Sequence, residues 1–349
     1  MAKRLLILTR RPDGAPFRQR IAPYLDVLRR RGIEPTVEVL ETAAWLRLRQ
    51  LRRARTFDGI LLHRKTLTWW EARALGPAAS RGPLLYDVDD AVMVQARRPE
   101  RVHRGRARRF ARTVERAALV LAGNPILADR AREAGAPRAE VVPTGLDAAR
   151  YPPKESYGLT DGPRLAWIGS RSTVKQLARL RQALSAVGRE VPGARLRGIA
   201  DAPLAVEDLA VENVRWSREA EGRLLAECDI GIAPLPDTPY TRGKCGFKVL
   251  QYMAAGLPVV ASPVGVQADY VRPEESGLHA AGKAEWVEAI RRLADDADLR
   301  RRLGQAGRAR VEAEFDVRVL ALRVVELVGE ALGCQSQNNN DEHGMMNAE

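Results

Sequence analysis

Residues 243–265 read GKCGFKVLQYMAAGLPVVASPVG. The run from Phe247 to Ala255 is built of helix formers and small apolar residues, stops at Gly256, and passes into the short apolar run Pro258–Ala261. A helix that ends on glycine and feeds a buried strand is one unit of a parallel α/β sheet. Lys244 and Lys248 stand four apart at the mouth of that helix, with Arg242 beside them. The helix dipole is already positive at that end, so cations gathered there are unfavourable unless an anion lies between them. The stretch therefore predicts a doubly wound fold and an anion site together. Gly243, Gly246 and Gly265 would let the backbone approach that anion closely.

The same alternation runs outward through the chain. Strand-like runs at Leu5–Leu8, Glu34–Val39, Gly59–Leu62, Leu84–Asp87, Leu119–Ala122 and Glu140–Pro143 are separated by helical stretches near Phe17–Arg31, Thr42–Arg55, Trp69–Leu75 and Arg104–Ala118. Residues 147–163, DAARYPPKESYGLTDGP, break the rhythm with prolines and glycines and read as a linker. A second series follows, with strands at Leu165–Ile168, Arg195–Ile199, Val214–Trp216, Ile230–Pro234, Pro258–Ala261 and Leu278–Ala280. A helical region over 284–315 and a last helix about Val317–Leu332 complete it. The expected fold is α/β, with two doubly wound, Rossmann-like parallel-sheet domains facing a cleft. The first domain spans 1–150 and is joined by the last helix, 317–332. Residues 151–163 form the linker, 164–316 the second domain, and 333–349 a polar, aperiodic tail read as disordered.

With 349 residues, 45% hydrophobic and 29% charged, the chain can fill two cores. No apolar run reaches the roughly 18 residues of a membrane-spanning helix. The opening MAKRLLILTRRPDG has too short an apolar stretch for a signal peptide. Three scattered cysteines, Cys228, Cys245 and Cys334, fit a reducing cytoplasm and argue against disulfides or a zinc site. The net charge of +13 is uneven. Residues 1–150 hold 31 Lys and Arg against 16 Asp and Glu, a net of +15, while the remainder nets −2. Such an excess suits an anionic partner, either nucleic acid, a membrane surface or an acceptor, or else an arginine-rich solvated surface. The helices near Trp45–Arg55 and Arg101–Arg116 set arginines beside Trp45, Leu46, Leu48 and Phe110. Faces of that kind can rest on anionic lipid, so the expected location is the cytoplasm, with peripheral contact to the inner face of the membrane as the further option.

Ligands of doubly wound sheets bind beyond the carboxyl ends of the strands. One such end is WIGSRSTVKQL, 167–177, where Gly169 and Ser170 offer backbone N–H groups to phosphate and Arg171 or Lys175 adds charge. The plainer reading is helix capping by Ser170 or Ser172. In YDVDDAV, 86–92, Asp89 or Asp90 at a strand end can orient or deprotonate a hydroxyl, which under the resemblance given below would be the acceptor's, or else caps the next helix. His63 in ILLHRKT and Asn124 in AGNPILADRA follow strands at the same edge. Trp216 suits a nucleobase or, equally, core packing.

Together these pieces resemble the GT-B glycosyltransferases, specifically the large retaining family 4, of the glycosyl transferases group 1 type. In the second half the resemblance is carried by IGIAPLPD (230–237), the stretch 243–265, the GLH at 277–279 and the terminal helices. In the first half it is carried by YDVDDAV, AGNPILADRA and VVPTGLD (141–147). It covers about residues 5–330 and is strongest at 229–265. It implies transfer of a sugar from a nucleoside-diphosphate donor to an acceptor hydroxyl with retention at the anomeric carbon. The nucleotide sugar would be a co-substrate, with no further cofactor and no metal. Most members carry a Glu, seven residues and a second Glu at the donor site; Gly243 and Gln251 stand there in this chain. Gln251 keeps the hydrogen bonding that ribose hydroxyls need, whereas Gly243 cannot contact the donor sugar. Arg242, Lys244 and Lys248 mark a basic GKCxFKxxQYM subset, with Gly246 and Phe247 also at the donor. The resemblance places Gly14 of LTRRPDGAPFRQR (8–20) in a loop near the donor phosphates, and Arg18, His63, Asp87 and Asn124 around the acceptor. Asp89 and Asp90 stand where many members have a His-Asp pair.

In this reading Arg242, Lys244 and the helix dipole stabilise the leaving diphosphate. One rival is a sugar-nucleotide-binding relative without catalysis, kept open by Gly243. Another is a basic nucleic-acid-binding protein, opposed by the lack of a recognised motif and an aromatic content of 5%; no nucleic-acid partner is expected. A third, an NAD-dependent oxidoreductase, needs a glycine fingerprint that LTRRPDG lacks.

Overall fold

The computed structural model describes residues 2–77, 82–171 and 173–334, without the side chain of Lys175. The first sheet begins with β1 (Lys3–Thr9), β2 (Ile33–Val39), β3 (Gly59–His63) and β4 (Leu84–Val88). A two-stranded hairpin, β5 (Val94–Gln95) and β6 (Arg98–Val102), interrupts it before β7 (Leu119–Ala122) and β8 (Ala139–Val141). Its order is β2-β1-β3-β4-β7-β8, and every pairing is parallel. The second sheet comprises β9 (Arg164–Ile168), β10 (Arg195–Ala200), β11 (Ala210–Arg215), β12 (Ile230–Ala233), β13 (Val259–Ala261) and β14 (Gly277–His279). Its order is β11-β10-β9-β12-β13-β14, again all parallel. Each sheet reverses direction once, between β1 and β3 and between β9 and β12. Those switch points are where such sheets hold ligands.

The strands read as unbroken apolar runs because helices cover both faces. In the first sheet Leu6, Leu8, Leu62 and Tyr86 pack under Leu51, Leu75, Phe110 and Leu127. Leu5, Ile7, Leu61 and Leu85 pack on the other face under Phe17, Tyr24 and Leu28. The last helix, Val317–Ala331, returns to this second face and buries Leu320, Val324 and Val328 there. Asp316 marks the return, accepting from the N–H groups of Ala148 (3.1 Å) and Arg318 (2.8 Å).

Several elements depart from their sequence-based bounds for local reasons. The helix expected over Phe17–Arg31 is split into Ala15–Arg20 and Leu25–Arg30 by a single 3₁₀ turn, Ala22–Tyr24, at Pro23. The helical region 284–315 is cut at Asp296, whose carboxylate caps a new helix by accepting from Leu299 N at 2.8 Å. β11 begins earlier than expected, because an edge strand with mostly exposed side chains carries a weak apolar signal. The hairpin was not anticipated, since the strand RPERV is polar and largely exposed. Phe110 points inward against Tyr86 and Leu48 is half-buried on the same core, so neither is free to rest on lipid. Residues 151–163 contain no helix or strand, yet they are pinned to the second domain. The Tyr157 hydroxyl donates to Gly256 O at 2.9 Å, and Lys154 Nζ pairs with Asp229 at 3.1 Å. The tail expected to be disordered lies, from residue 335, outside the described residues, as does Ser172. No helix of the described residues is long and apolar enough to cross a membrane.

A candidate anion site at the seam between the two sheets

The carboxyl ends of the two sheets face each other, and the loops that leave them touch. After β12 the chain runs through a short helix, Pro239–Arg242, into the helix Phe247–Ala254. Asn124, after β7, holds this segment from the opposite domain. Its Oδ1 accepts from Leu127 N at 2.8 Å, and its Nδ2 donates to the carbonyls of Gly243 (3.1 Å) and Lys244 (3.3 Å). Asn124 is buried and staples the two domains instead of standing open to an acceptor. Cys245 Sγ adds a bond to the carbonyl of Asp89 at 3.2 Å. At Gly243 an added Cβ would lie 2.7 Å from Ala91 Cβ. The position where the family resemblance calls for a carboxylate is therefore closed by the first domain.

The basic residues of the opening stretch divide into three cases. Lys244 precedes the helix, which starts at Phe247 behind a left-handed Gly246 (φ 61°), so it does not share a helical face with Lys248. It reaches back across the seam, with Nζ 3.6 Å from Asp90 Oδ1 and 4.6 Å above the Tyr240 ring. Burial alone would lower its pKa; Asp90 and Tyr240 outweigh that and raise it. Lys248 is the second helical residue. Its Nζ lies 4.4 Å above the ring of the fully buried Trp167, and no carboxylate among the described residues pairs with it. Burial, and then the charge of Lys244, push its ammonium down to about 7. That helix has no acidic residue in its first turn and no side-chain cap. Arg242 does not join the pair. It is largely exposed and forks onto Asp237 at 2.6 and 2.8 Å.

On the first-domain side, His63 and Asp87 sit in register on β3 and β4. His63 Nδ1 bonds Thr9 Oγ1 at 2.9 Å, and its Nε2 lies 3.8 Å from Asp87 Oδ2. Burial lowers the His63 pKa against the pull of Asp87, leaving the ring neutral at pH 7. Arg20, also buried, donates to Asp87 Oδ1 at 2.5 Å. Burial alone would lower the Arg20 pKa, but Asp87 raises it. Arg20, and not Arg18, is the arginine of this wall. Arg18 turns to the carbonyl of Asp13 within the loop that holds Gly14, whose own N–H closes the loop on Arg11 O at 3.2 Å. Arg64 clasps both Asp89 (2.9 Å) and Asp90 (3.0 Å). It does so in a left-handed conformation (φ 59°) that costs a non-glycine residue about 1–2 kcal/mol. The two acids thus pair with cations instead of capping a helix.

The remaining candidates line the second domain. Gly169 N–H donates to Ile199 O and Ser170 N–H to Thr173 Oγ1, both at 3.0 Å, so the two groups expected to cradle phosphate are engaged within the fold. Arg171 is exposed, and its backbone N–H donates to Asp201 at 2.5 Å. Lys175 falls in the helix Val174–Ala178, but its side chain lies outside what is described. Gln251 is buried, donating to Tyr151 Oη (3.2 Å) and Glu221 Oε2 (3.3 Å). Trp216 Nε1 donates to the same Glu221 oxygen at 2.7 Å, and the Tyr151 hydroxyl to the other at 2.8 Å. Phe247 is half-buried on the core that Trp216 also touches. Glu221 escaped sequence reasoning. It opens a short helix with no motif around it, and only its place after β11 could have drawn attention to it. It sets a buried carboxylate beside Gln251, where a second acid is otherwise missing. Among the described residues no group of three or more His, Cys, Asp or Glu is arranged to hold a metal ion.

Residues 162–296 match the profile of the family described as Glycosyl transferases group 1. Two curated relatives are D-inositol 3-phosphate glycosyltransferases. The one from Nocardia farcinica is 29% identical over 190 residues, covering 48% of this chain and 42% of that protein. The one from Salinispora arenicola is 28% identical over 235 residues, covering 58% and 52%. The chain spans about half the length of these curated relatives. Among solved structures, sucrose-phosphate synthase from Thermosynechococcus elongatus superposes with a TM-score of 0.74 at 16% identity, covering 95% of this chain and 99% of that one. HepE from Anabaena, in complex with UDP and glucose, gives 0.71 at 18% identity, covering 94% and 100%. At such identities the likeness is one of fold. The two doubly wound domains facing a cleft form the GT-B fold.

Proposed function

We propose that the protein transfers a sugar from a nucleoside-diphosphate donor to an acceptor hydroxyl, with the donor's diphosphate held at the seam. The observation that carries this is Lys248. An ammonium with no carboxylate partner among the described residues, set over Trp167 at an uncapped helix N-terminus and next to a second lysine, is stabilised by an anion and by little else. The group 1 match supports the reading, since 162–296 is the part of the chain that contains Lys248. HepE was solved with UDP-glucose, which makes UDP the first nucleotide to try.

As the bond from the sugar to the diphosphate breaks, negative charge grows on the leaving oxygen. Lys248 and Lys244 stand ready for it, so the protein need not reorganise at that moment. Lys244 is shared between the seam and Asp90, which couples the donor phosphates to the Asp89–Arg64–Asp90 cluster on the acceptor side. Retention and a hexosyl donor are the finer form of this reading. They rest on the resemblance of 243–265 to family 4. A second reading, donor binding without transfer, is favoured by the closure of Gly243 against Ala91.

Thermal shift with UDP and with uridine tests the donor site. Ligand at a hundred times its Kd adds about 2.7 kcal/mol to stability. Lys248→Ala should lose most of the UDP response and keep the uridine response. Equal losses for both ligands would remove the diphosphate assignment. Release of UDP from UDP-glucose by the wild type separates transfer or hydrolysis from binding alone.

A further inference from the structure

The large apolar side chains that the fold leaves exposed are not scattered. Among the described residues there are seven, and four of them, Val39, Trp45, Trp69 and Trp70, lie at or shortly past the carboxyl ends of β2 and β3, while a fifth, Val102, closes the hairpin that follows β4. That is the edge from which the first domain meets the seam. The three tryptophans are 67%, 53% and 65% exposed. Trp45 lies in the first turn of the helix Ala44–Arg53, and Trp69 and Trp70 open the helix Trp69–Leu75. The two helix starts are locked side by side by Arg47 Nε on Glu71 Oε1 at 2.6 Å. On the neighbouring connection, residues 94–104 carry four exposed arginines, at 97, 98, 101 and 104, against one acid, Glu100. That hairpin packs beside Pro239–Arg242, at the mouth of the seam.

Soluble proteins seldom expose several indoles at one edge without a partner. An indole has an apolar body and a polar N–H, and it settles at the level of lipid headgroups, where nearby arginines meet phosphates. Stacking on bases would need open ring faces. Here Trp69 and Trp70 pack edge to face with centroids 4.4 Å apart, and the Arg73 guanidinium lies 6.0 Å from the centre of the Trp69 ring. We propose that this rim of tryptophans and arginines is a docking face for an anionic phospholipid bilayer, which brings the mouth of the seam to the membrane surface. The docking face stands on the surface alone. That the bilayer then presents a lipid-borne acceptor hydroxyl rests on the sugar-transfer reading above.

Co-sedimentation tests it, with the full chain mixed with vesicles of phosphatidylcholine, alone or with phosphatidylglycerol. The wild type is expected to partition at least about tenfold better onto the anionic vesicles, and the Trp45→Ala, Trp69→Ala, Trp70→Ala variant to lose at least about tenfold of that. Tryptophan emission of the wild type should shift to the blue on anionic vesicles and that of the triple variant should not, because Trp167 and Trp286 are already buried and the half-buried Trp216 is bonded to Glu221 in the second domain. Equal partition of the two proteins, equal partition onto the two vesicles, or unshifted emission overturns the proposal. So does tighter binding of a single-stranded oligonucleotide by the wild type than by the variant without vesicle binding, which would assign the rim to nucleic acid. UDP response is measured on both proteins. Its absence from the wild type would strike the donor reading and leave the vesicle result to decide the docking face.

Discussion

A lysine whose ammonium is held well below its usual range by burial is a proton switch for whatever anion it meets. Free Lys248 is pushed down to about 7 by burial and by Lys244. Beside a diphosphate its charged form is favoured, so its pKa rises on binding. Below pH 7 the group is already protonated and binding takes up no proton. Above pH 7 binding takes up a proton, and affinity falls as pH rises until the bound-state pKa is passed. The terminal phosphate, with a second pKa near 6, is already ionised in this range. Calorimetry at pH 8 in buffers of different ionisation enthalpy should show uptake approaching one proton per UDP, with affinity falling about tenfold per pH unit above pH 7. Lys248→Met should abolish the uptake. Affinity unchanged from pH 7 to 9 would contradict it. At this scale the sequence was legible where local physics sufficed: cations at a helix mouth announced Lys244 and Lys248. It was silent where tertiary packing decides. Nothing local shows that Trp167 lies beneath Lys248, that Arg64 joins Asp89 to Asp90, or that Asn124 staples the domains. Arg20 was within reach, since Phe17, Arg20 and Tyr24 share one spaced face, but the prolines obscured the helix.

The helix Phe247–Ala254 depends on where it starts. Gly246 sets that start with φ 61°, and an added Cβ there would meet the Tyr270 ring at 3.0 Å. Gly246→Ala should cost about 1–2 kcal/mol for the left-handed backbone, more if Tyr270 cannot shift. In scanning calorimetry it should melt a few degrees below the wild type and respond less to UDP. Gly158→Ala is the control, since its added Cβ would meet only Ser156 Oγ at 3.8 Å. Equal melting of Gly246→Ala and the wild type would show that the helix start is not pinned there. Strands such as Leu84–Val88 were legible because burial on both faces writes them as apolar runs. The hairpin Val94–Val102 was not, because its residues are polar and it is fixed by its neighbours across the seam. The pair Trp69–Trp70 passed unremarked as helix filling; only the packed structure shows both rings left outside.

Across the whole molecule, two sheets with one reversal each bring their switch points together. That juxtaposition was implied by the β–α alternation and by the motifs at the strand ends. The uneven charge was legible as a number, and the structure sets several of its arginines on one rim near the seam. What one sequence does not encode locally is the closeness of the domains, read here from Ala91 against Gly243 and Lys244 against Asp90. The most direct measurement is a crystal structure of the full chain with UDP. A diphosphate gripped at the seam places a phosphate oxygen about 3 Å from Lys248 Nζ at the mouth of the helix Phe247–Ala254. UDP bound elsewhere, with Lys248 still resting on Trp167 alone, would contradict it.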